Sequence, residues 1–518
     1  MKSPQRSTRI ESRIMRCLSA LCRLLAFVVS GISESTFQRL HSQQSNSMQG
    51  TAPHPIAATR GILRIGASDA NATPRMRPTC MTSAPLRGEP TASAPEHPRS
   101  TLDPTPPNTV PESRLFDDET SASRYPRRPT RPEDAPLRIA LVIERFAPGA
   151  GGVEGVAWQV AHELAHAGLD VTVLCRETAE HEWKQGEGEL AHIRLRVPSF
   201  WQPLRVVAFS RATAIAIRTG AFDVVHSFSR THHQHLYRAG GGSHADYLDR
   251  THAGAARAVR QLSPRHLALL AIERSVFADS DQRIQCASRL VADALVERHG
   301  VARERILLLP NAVDTARFAS PASRGAGRRL RRQLDEKAER IWLLPGSGWR
   351  RKGLDVLLEA LARLADPGLR VWVAGRDDPR IWRRRAESLG VSDRLRFLGL
   401  RSDMASVYSA VDGMVLPTRY DAFANVTLEA AAAGLAVVTT KSNGAAEWLG
   451  EDVLLIDEPG DANGLACAMA SLADAEHRRA LGARAQRRAQ QLDWASHAAA
   501  LREEYQRIVA ARRPGSLA

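Results

Sequence analysis

Two acids and a run of cations stand at spacings that suit the binding of a phosphate-bearing, hydroxyl-rich ligand. In Tyr420-Asp421-Ala422-Phe423-Ala424-Asn425-Val426-Thr427-Leu428-Glu429 the carboxylates of Asp421 and Glu429 lie eight positions apart. The pattern predicts a helix over 425–433, so Asp421 precedes it and Glu429 lies within it. The amides of Phe423, Ala424 and Asn425 would then sit at the helix N-terminus, where unpaired N–H groups attract an anion. The flanking carboxylates can accept hydrogen bonds from ribose and sugar hydroxyls. Gly346-Ser347-Gly348-Trp349-Arg350-Arg351-Lys352-Gly353 sets three cations among glycines, which suits a diphosphate. Gly149-Ala150-Gly151-Gly152-Val153-Glu154 is a third glycine-bearing turn, also ahead of a helix. Glu154 stands where the dinucleotide fingerprint G-x-G-x-x-G needs its last glycine, which counts against a nicotinamide or flavin enzyme.

These segments need strands to end where they begin. Residues 137–143 (LRIALVI) read as a buried parallel strand, 156–167 as a helix with Gly168 as its C-cap, and 170–175 (DVTVLC) as the next strand. Strands at 193–197, 222–226 and 305–309 and a helix at 288–299 continue the array. The pattern restarts with strands at 341–345, 370–374, 394–398, 413–416 and 435–439, separated by helices at 353–364, 380–389, 403–410 and 425–433. Residues 471–513 read as mostly helical. The fold class is therefore α/β, with two consecutive arrays joined near 311–320. A ligand is expected in the crevice at the carboxyl ends of the strands, between the two.

Composition narrows the partners. The 518 residues carry a net charge of +15, which suits nucleic acid, an anionic membrane or a phosphorylated small molecule. The arginines are dispersed and aromatics make up only 5% of the chain, which argues against nucleic acid. The six cysteines form no C-x-x-C pair, which fits a reducing cytoplasm. Sixteen of the 29 prolines fall within 51–136, so residues 1–136 read as a disordered Pro/Ser/Arg-rich extension. The run 24–32 (LLAFVVSGI), behind Arg13, Arg16 and Arg23, reads either as a poor signal peptide or as a weakly amphipathic tail. Residues 257–277 mix arginine with apolar side chains, as either a helix on an anionic membrane or a buried helix of the first domain. Asp279-Ser280-Asp281 spells the metal-binding D-x-D but sits far in sequence from the glycine and acid motifs, and reads as surface charge. His226, His232, His233, His235 and His244 are clustered in sequence, without a partner carboxylate at metal-ligand spacing.

Taken in order, the glycine turn, GSGWRRKGLDVLLEAL and YDAFANVTLEA resemble the family 4 retaining glycosyltransferases of GT-B fold, over about 137–510. HSFSRTHHQHLYRAGGGSH and the RKG step bring the chain nearest to lipopolysaccharide core glycosyltransferases within that family. The resemblance implies two Rossmann-like domains facing a central cleft: an acceptor domain over 137–312, a nucleotide-sugar domain over 313–490, and a C-terminal helix and tail over 491–518. It implies that Glu429 holds the ribose and Asp421, where the family more often has Glu, faces the donor sugar. Arg351 and Lys352 would neutralise the diphosphate, and Gly151 and Gly152 would close on it. Phe423, Ala424 and Asn425 complete the donor site. The family places an Asp or His near the transferred sugar; His235 or His244 would fill that place here. The implied chemistry needs no metal and no cofactor, the nucleotide-sugar (a UDP-hexose) being a co-substrate. The acceptor would be a glycan or glycolipid, with the protein cytoplasmic and peripheral on the inner membrane. A related epimerase or phosphorylase, a catalytically inactive sugar-nucleotide-binding scaffold, and a nucleic-acid-binding basic protein are the rival readings.

Overall fold

The structure, a computed structural model, describes residues 135–148, 152–178, 190–198, 200–251, 257, 260, 262–364 and 366–512. Residues 1–134 of the Pro-rich extension, the run 24–32 among them, and residues 149–151 lie outside these residues.

Hydrophobic runs buried on both faces build two wholly parallel sheets. The first holds β1 (Arg138–Phe146), β2 (Asp170–Thr178), β3 (Ala191–Arg194), β4 (Val224–Ser227), β5 (Leu236–Arg238), β6 (Arg283–Cys286) and β7 (Ile306–Leu308), in the order β3-β2-β1-β4-β5-β6-β7. Between β1 and β2 runs α1 (Gly152–His166), ended by Gly168 at φ +80°. Then come α2 (Gln202–Thr219), α3 (His244–Thr251), α4 (Pro264–Ala278) and α5 (Arg289–His299). The second sheet has the order β10-β9-β8-β11-β12-β13, built from β8 (Arg340–Leu344), β9 (Leu369–Ala374), β10 (Leu395–Gly399), β11 (Gly413–Leu416), β12 (Ala436–Thr440) and β13 (Leu454–Ile456). Its helices include α6 (Thr315–Ala319), α7 (Pro321–Gln333), α8 (Leu354–Arg363), α9 (Arg380–Ser388), α10 (Met404–Ser409), α11 (Asn425–Ala432) and α12 (Ala446–Leu449). Next are α13 (Ala462–Ser471), α14 (Ala475–Ala489) and α15 (Trp494–Ala510).

One strand departs from its expected bounds, and one run is decided between its two readings. The strand expected at 193–197 is β3, shifted to 191–194 on an exposed sheet edge. The run 257–277 follows its second alternative where it is described as α4: His266, Ala268, Leu269, Ile272, Val276 and Phe277 are buried, and the helix packs against α2, α3 and α5. Among the described residues no helix is long and apolar enough to cross a membrane.

The last helix returns to the first domain. Ala498, Leu501, Tyr505 and Ile508 of α15 pack with Ile139, Leu141 and Val160 in its core. The Tyr505 hydroxyl meets His226 Nδ1 at 2.8 Å, and Arg283 pairs with the fully buried Glu504 carboxylate at 2.5 Å. The chain thus crosses between domains twice, and Val313 N–H donates to Leu492 C=O where the crossings meet. His497 Nδ1 lies 2.8 Å from Pro310 C=O.

The domains also interlock through side chains. Tyr420 and Ala422 of the second are buried among Tyr237, Ile272 and Val291 of the first. Ser288 Oγ donates to Ala422 C=O at 2.8 Å, and Trp448 Nε1 donates to Ala287 C=O at 3.0 Å. Glu447 accepts the N–H groups of Arg289 and Leu290 at 2.7 Å, so an acid from one domain satisfies the first turn of α5 in the other.

Gly242, at φ +70°, admits the Tyr420 ring: a Cβ there would lie 2.0 Å from the Tyr420 hydroxyl. That hydroxyl is buried without a partner among the described residues. Gly242→Ala is therefore expected to destabilise by about 1–3 kcal/mol. Tyr420→Phe alone should be near neutral or stabilising, because no hydrogen bond is lost. In denaturant titrations the double variant should recover part of the Gly242→Ala loss; full additivity would refute the clash.

Burial, then the Arg238 charge, push the His497 pKa down to about 4. An unfolded histidine titrates near 6.5, so between these values the native chain binds fewer protons. The resulting stability is complete above about pH 6.5 and is lost as the pH falls towards 4. His497→Asn, which can still donate to Pro310, should lose less stability than wild type between pH 7 and 4.5, by roughly 1–3 kcal/mol. Equal losses would exclude His497 as a source of the slope.

Candidate functional site

The basic loop is shaped by its glycines. Gly346, Gly348 and Gly353 take φ values of +89°, +83° and +80°. A Cβ on Gly353 would meet Pro417 C=O at 2.0 Å, and one on Gly346 would meet Lys352 Cε at 2.9 Å. Asp377 accepts the amides of Gly348 and Trp349 at 2.8 and 3.2 Å, and the buried Trp349 ring anchors the loop. The Lys352 side chain is thereby folded inward, with 7% of its surface exposed.

Both cations converge on one carboxylate. Asp421 Oδ2 accepts Arg351 Nη1 at 2.8 Å and Lys352 Nζ at 3.4 Å. Arg351 also donates to Tyr420 C=O at 2.7 Å. Burial pushes the Asp421 pKa up, but Lys352 and Arg351 together outweigh it and hold the carboxylate below its usual value. Burial lowers the Lys352 pKa, with Asp421 opposing and Arg351 adding to the fall. Glu429 sits one turn into α11 from Asn425. Its Oε2 accepts the Tyr408 hydroxyl at 2.8 Å, and burial raises its pKa against the pull of Tyr408, Arg317 and Lys352.

The turn into α11 is held from below by Asn443, a residue that sequence reasoning missed. Its Oδ1 accepts the amides of Ala424 and Ala445 at 3.3 and 3.2 Å. Its Nδ2 donates to Thr427 and Thr439 at 2.8 and 3.1 Å. The Ala424 amide is thus already engaged within the protein, unlike the expectation that it faces an anion. Phe423 and Ala424 are buried beneath the turn. The Asn443-Gly444 step is the signal that marks Asn443 in the sequence.

Across the cleft, Asn425 Nδ2 donates to Gly152 C=O at 3.2 Å, and Asn425 Oδ1 accepts Asn311 Nδ2 at 2.6 Å. The structure therefore brings Gly152, Arg351, Lys352, Asp421, Phe423, Ala424, Asn425 and Glu429 together. Gly151 falls outside the described residues.

The two histidines fare differently. His235 does not join the site. It immediately precedes β5, at the end of the sheet opposite the strands' carboxyl ends, where its Nδ1 accepts Val225 N–H at 2.9 Å and its Nε2 meets Arg512 at 2.5 Å. His244 opens α3 just after the turn whose Gly242 touches Tyr420. Its ring Nε2 is engaged by His266 Nδ1 at 2.8 Å and its backbone N–H donates to Glu273 at 2.5 Å. Burial, then the charges of Arg230, His266 and Arg265, push its pKa down to about 3, so the ring is neutral. Asp279 and Asp281 form a local turn: Asp279 Oδ1 accepts Asp281 N–H at 3.2 Å and Oδ2 accepts Gln282 at 2.9 Å.

Comparison with known proteins fits this geometry. Residues 150–317 match the family described as Glycosyltransferase Family 4, and residues 339–475 match Glycosyl transferases group 1. A probable transglycosylase of Burkholderia thailandensis is 30% identical over 317 residues, covering 61% of this chain and 81% of that protein. The lipopolysaccharide glucosyltransferase WaaG of Escherichia coli is 31% identical over 199 residues, 37% of this chain and 52% of WaaG. A crystal structure of WaaG superposes with a TM-score of 0.61 at 23% identity, over 71% of this chain and 99% of that one. HepE of Anabaena, solved with UDP-glucose, gives 0.55 at 17% identity, over 72% and 100% of the two chains. Two parallel sheets, paired cations against an acid before α11, and both matched families lead to one conclusion: the chain belongs to the family 4, group 1 glycosyltransferases, with the GT-B fold.

Proposed function

We propose that this chain moves a hexose from a UDP-sugar to a glycan or glycolipid acceptor, with retention of configuration and without a metal or cofactor. The observation that carries the reading is the shared Asp421 carboxylate with Arg351 and Lys352 at the N-terminus of α11. Two cations against one acid leave positive charge where the helix end already favours an anion. A diphosphate fits there, with Glu429 one turn along the helix for the ribose hydroxyls and Asp421 for the sugar. HepE, of the same fold, was solved with UDP-glucose, which supports the uridine donor.

In this mechanism the bond between the anomeric carbon and the diphosphate oxygen breaks. Negative charge grows on the leaving group, where Arg351, Lys352 and the α11 amides stabilise it. The acceptor hydroxyl adds on the same face, and its proton passes to the departing phosphate oxygen. Asn425, reaching Gly152, carries closure of the first domain to the donor.

The acceptor side has a surface suited to a lipid-linked substrate at the cytoplasmic face of an inner membrane. Phe200, Trp201, Ile215, Leu262 and Leu267 are exposed around α2 and α4, with Arg211, Arg218 and Arg265 exposed among them. Apolar side chains with flanking arginines match an anionic bilayer.

Two measurements test this. The full chain is incubated with UDP-, GDP- and ADP-hexoses with and without EDTA, and free nucleotide is recorded. Release from one donor, unchanged by EDTA and lowered about 10²–10³-fold by Glu429→Ala or Lys352→Met, is expected; binding without turnover in wild type would instead mark a sugar-nucleotide-binding scaffold. In co-sedimentation, vesicles containing phosphatidylglycerol should retain the protein and phosphatidylcholine vesicles should not. Phe200→Ser with Trp201→Ser should weaken retention, and equal retention by both vesicles and variants would sink the membrane assignment.

A further inference from the structure

Arg238 ends β5 at the strands' carboxyl edge and is a buried cation with no carboxylate beside it among the described residues. The residue is 3% exposed. Nη2 donates to Asn311 Oδ1 at 2.6 Å, and the guanidinium stands 5.5 Å from the centre of the Phe228 ring. Nε and Nη1 have no hydrogen-bond partner among the described residues. The titratable groups around it are Tyr237, Cys286, His226 and His497, none of them a carboxylic acid. An ionised guanidinium taken out of water without an anion is costly, and chains keep such groups where a counter-charge arrives.

The surroundings say where that counter-charge would come from. A Cβ on Gly240 would lie 1.8 Å from Nη1, so this position must be glycine for the guanidinium to sit there. Phe228 follows β4, Gly240 follows β5, and Asn311 lies in the first crossing between domains. A directed chain then runs from Arg238 to Asn311, from Asn311 to Asn425 at the start of α11, and from Asn425 to Gly152 C=O at the start of α1. Arg238 ends its strand, Asn425 and Gly152 open their helices, and Asn311 in the crossing joins them.

We propose that Arg238 receives an anionic phosphate oxygen of a ligand in the cleft on its free Nε and Nη1, and that Asn311 and Asn425 tie its occupancy to the donor-binding turn. The link to the donor rests on the transferase reading above; the anion contact does not. The phosphate is either the donor's diphosphate or a phosphate carried by the acceptor.

Calorimetry on the full chain separates these. Wild type, Arg238→Met and Gly240→Ala are titrated with uridine, with UDP, and with inorganic phosphate in the absence and presence of saturating UDP. Gly240→Ala keeps the charge and displaces the guanidinium, so it stands in if Arg238→Met does not fold. A loss of UDP affinity of about tenfold or more in the variants, with uridine unaffected, supports the proposal and assigns the donor diphosphate. Unchanged UDP affinity with an equal loss of phosphate binding to the UDP-loaded protein supports it and assigns the acceptor. Folded variants that bind UDP and phosphate like wild type overturn it. If wild type binds no uridine nucleotide, the donor reading fails, and phosphate binding to the nucleotide-free protein decides on Arg238 alone.

Discussion

One carboxylate oxygen is shared by two cations, and the geometry of the second domain follows from holding that arrangement. Arg351 and Lys352 both reach Asp421 Oδ2, leaving a surplus positive charge at the positive end of α11. In open solvent such neighbours would splay apart. Here they are kept together by backbone: three glycines of positive φ coil the loop, Asp377 ties its amides, and Pro417 C=O leaves no room for a side chain at Gly353. Asn443 does the same for the facing turn. The site is thus preorganised at the expense of its own electrostatic comfort, an imbalance that the proposed diphosphate would relieve.

The same turn is the place where the domains meet. Tyr420 enters the first domain's apolar interior, while Ser288, Glu447 and Trp448 fasten the edges of the contact. A rigid-body rotation of one domain would pull directly on residues 420–425. Relative motion of the domains therefore acts directly on that turn, with Asn425 bonded to both sides.

How much of this was legible depended on burial. β1, β2, β8, β9, β11 and β12 are buried on both faces, so each is a continuous apolar run and was found close to its true bounds. β3 is an exposed edge and gave a shifted reading. β5 has three residues and ends in a charge, so no pattern betrayed it. The glycine, cation and acid motifs could be brought together from sequence because they are local, their spacing set by one loop and one helix. The histidines were not, because sequence proximity across a strand is deceptive. His235 and Arg238 flank and end the same short strand, and a rise of roughly 3.3 Å per residue carries them to opposite edges of the sheet. The residue at the cleft is the arginine. Asn311, in the crossing between domains, had no local signal at all, since its importance lies in two partners far apart in sequence, Arg238 and Asn425.

The returning helix α15 makes the second domain, in connectivity, an insertion within the first. Leu501 and Tyr505 fill a core whose other walls, Ile139 and Leu141, belong to the first of the described strands to be synthesised. As the chain leaves the ribosome, that early sheet waits with an apolar flank uncovered while the whole second domain is made. The half-built first domain is thus the vulnerable species during biosynthesis, the stage at which a chaperone would hold it. The second domain, made before α15 appears, can be finished while its partner is still open.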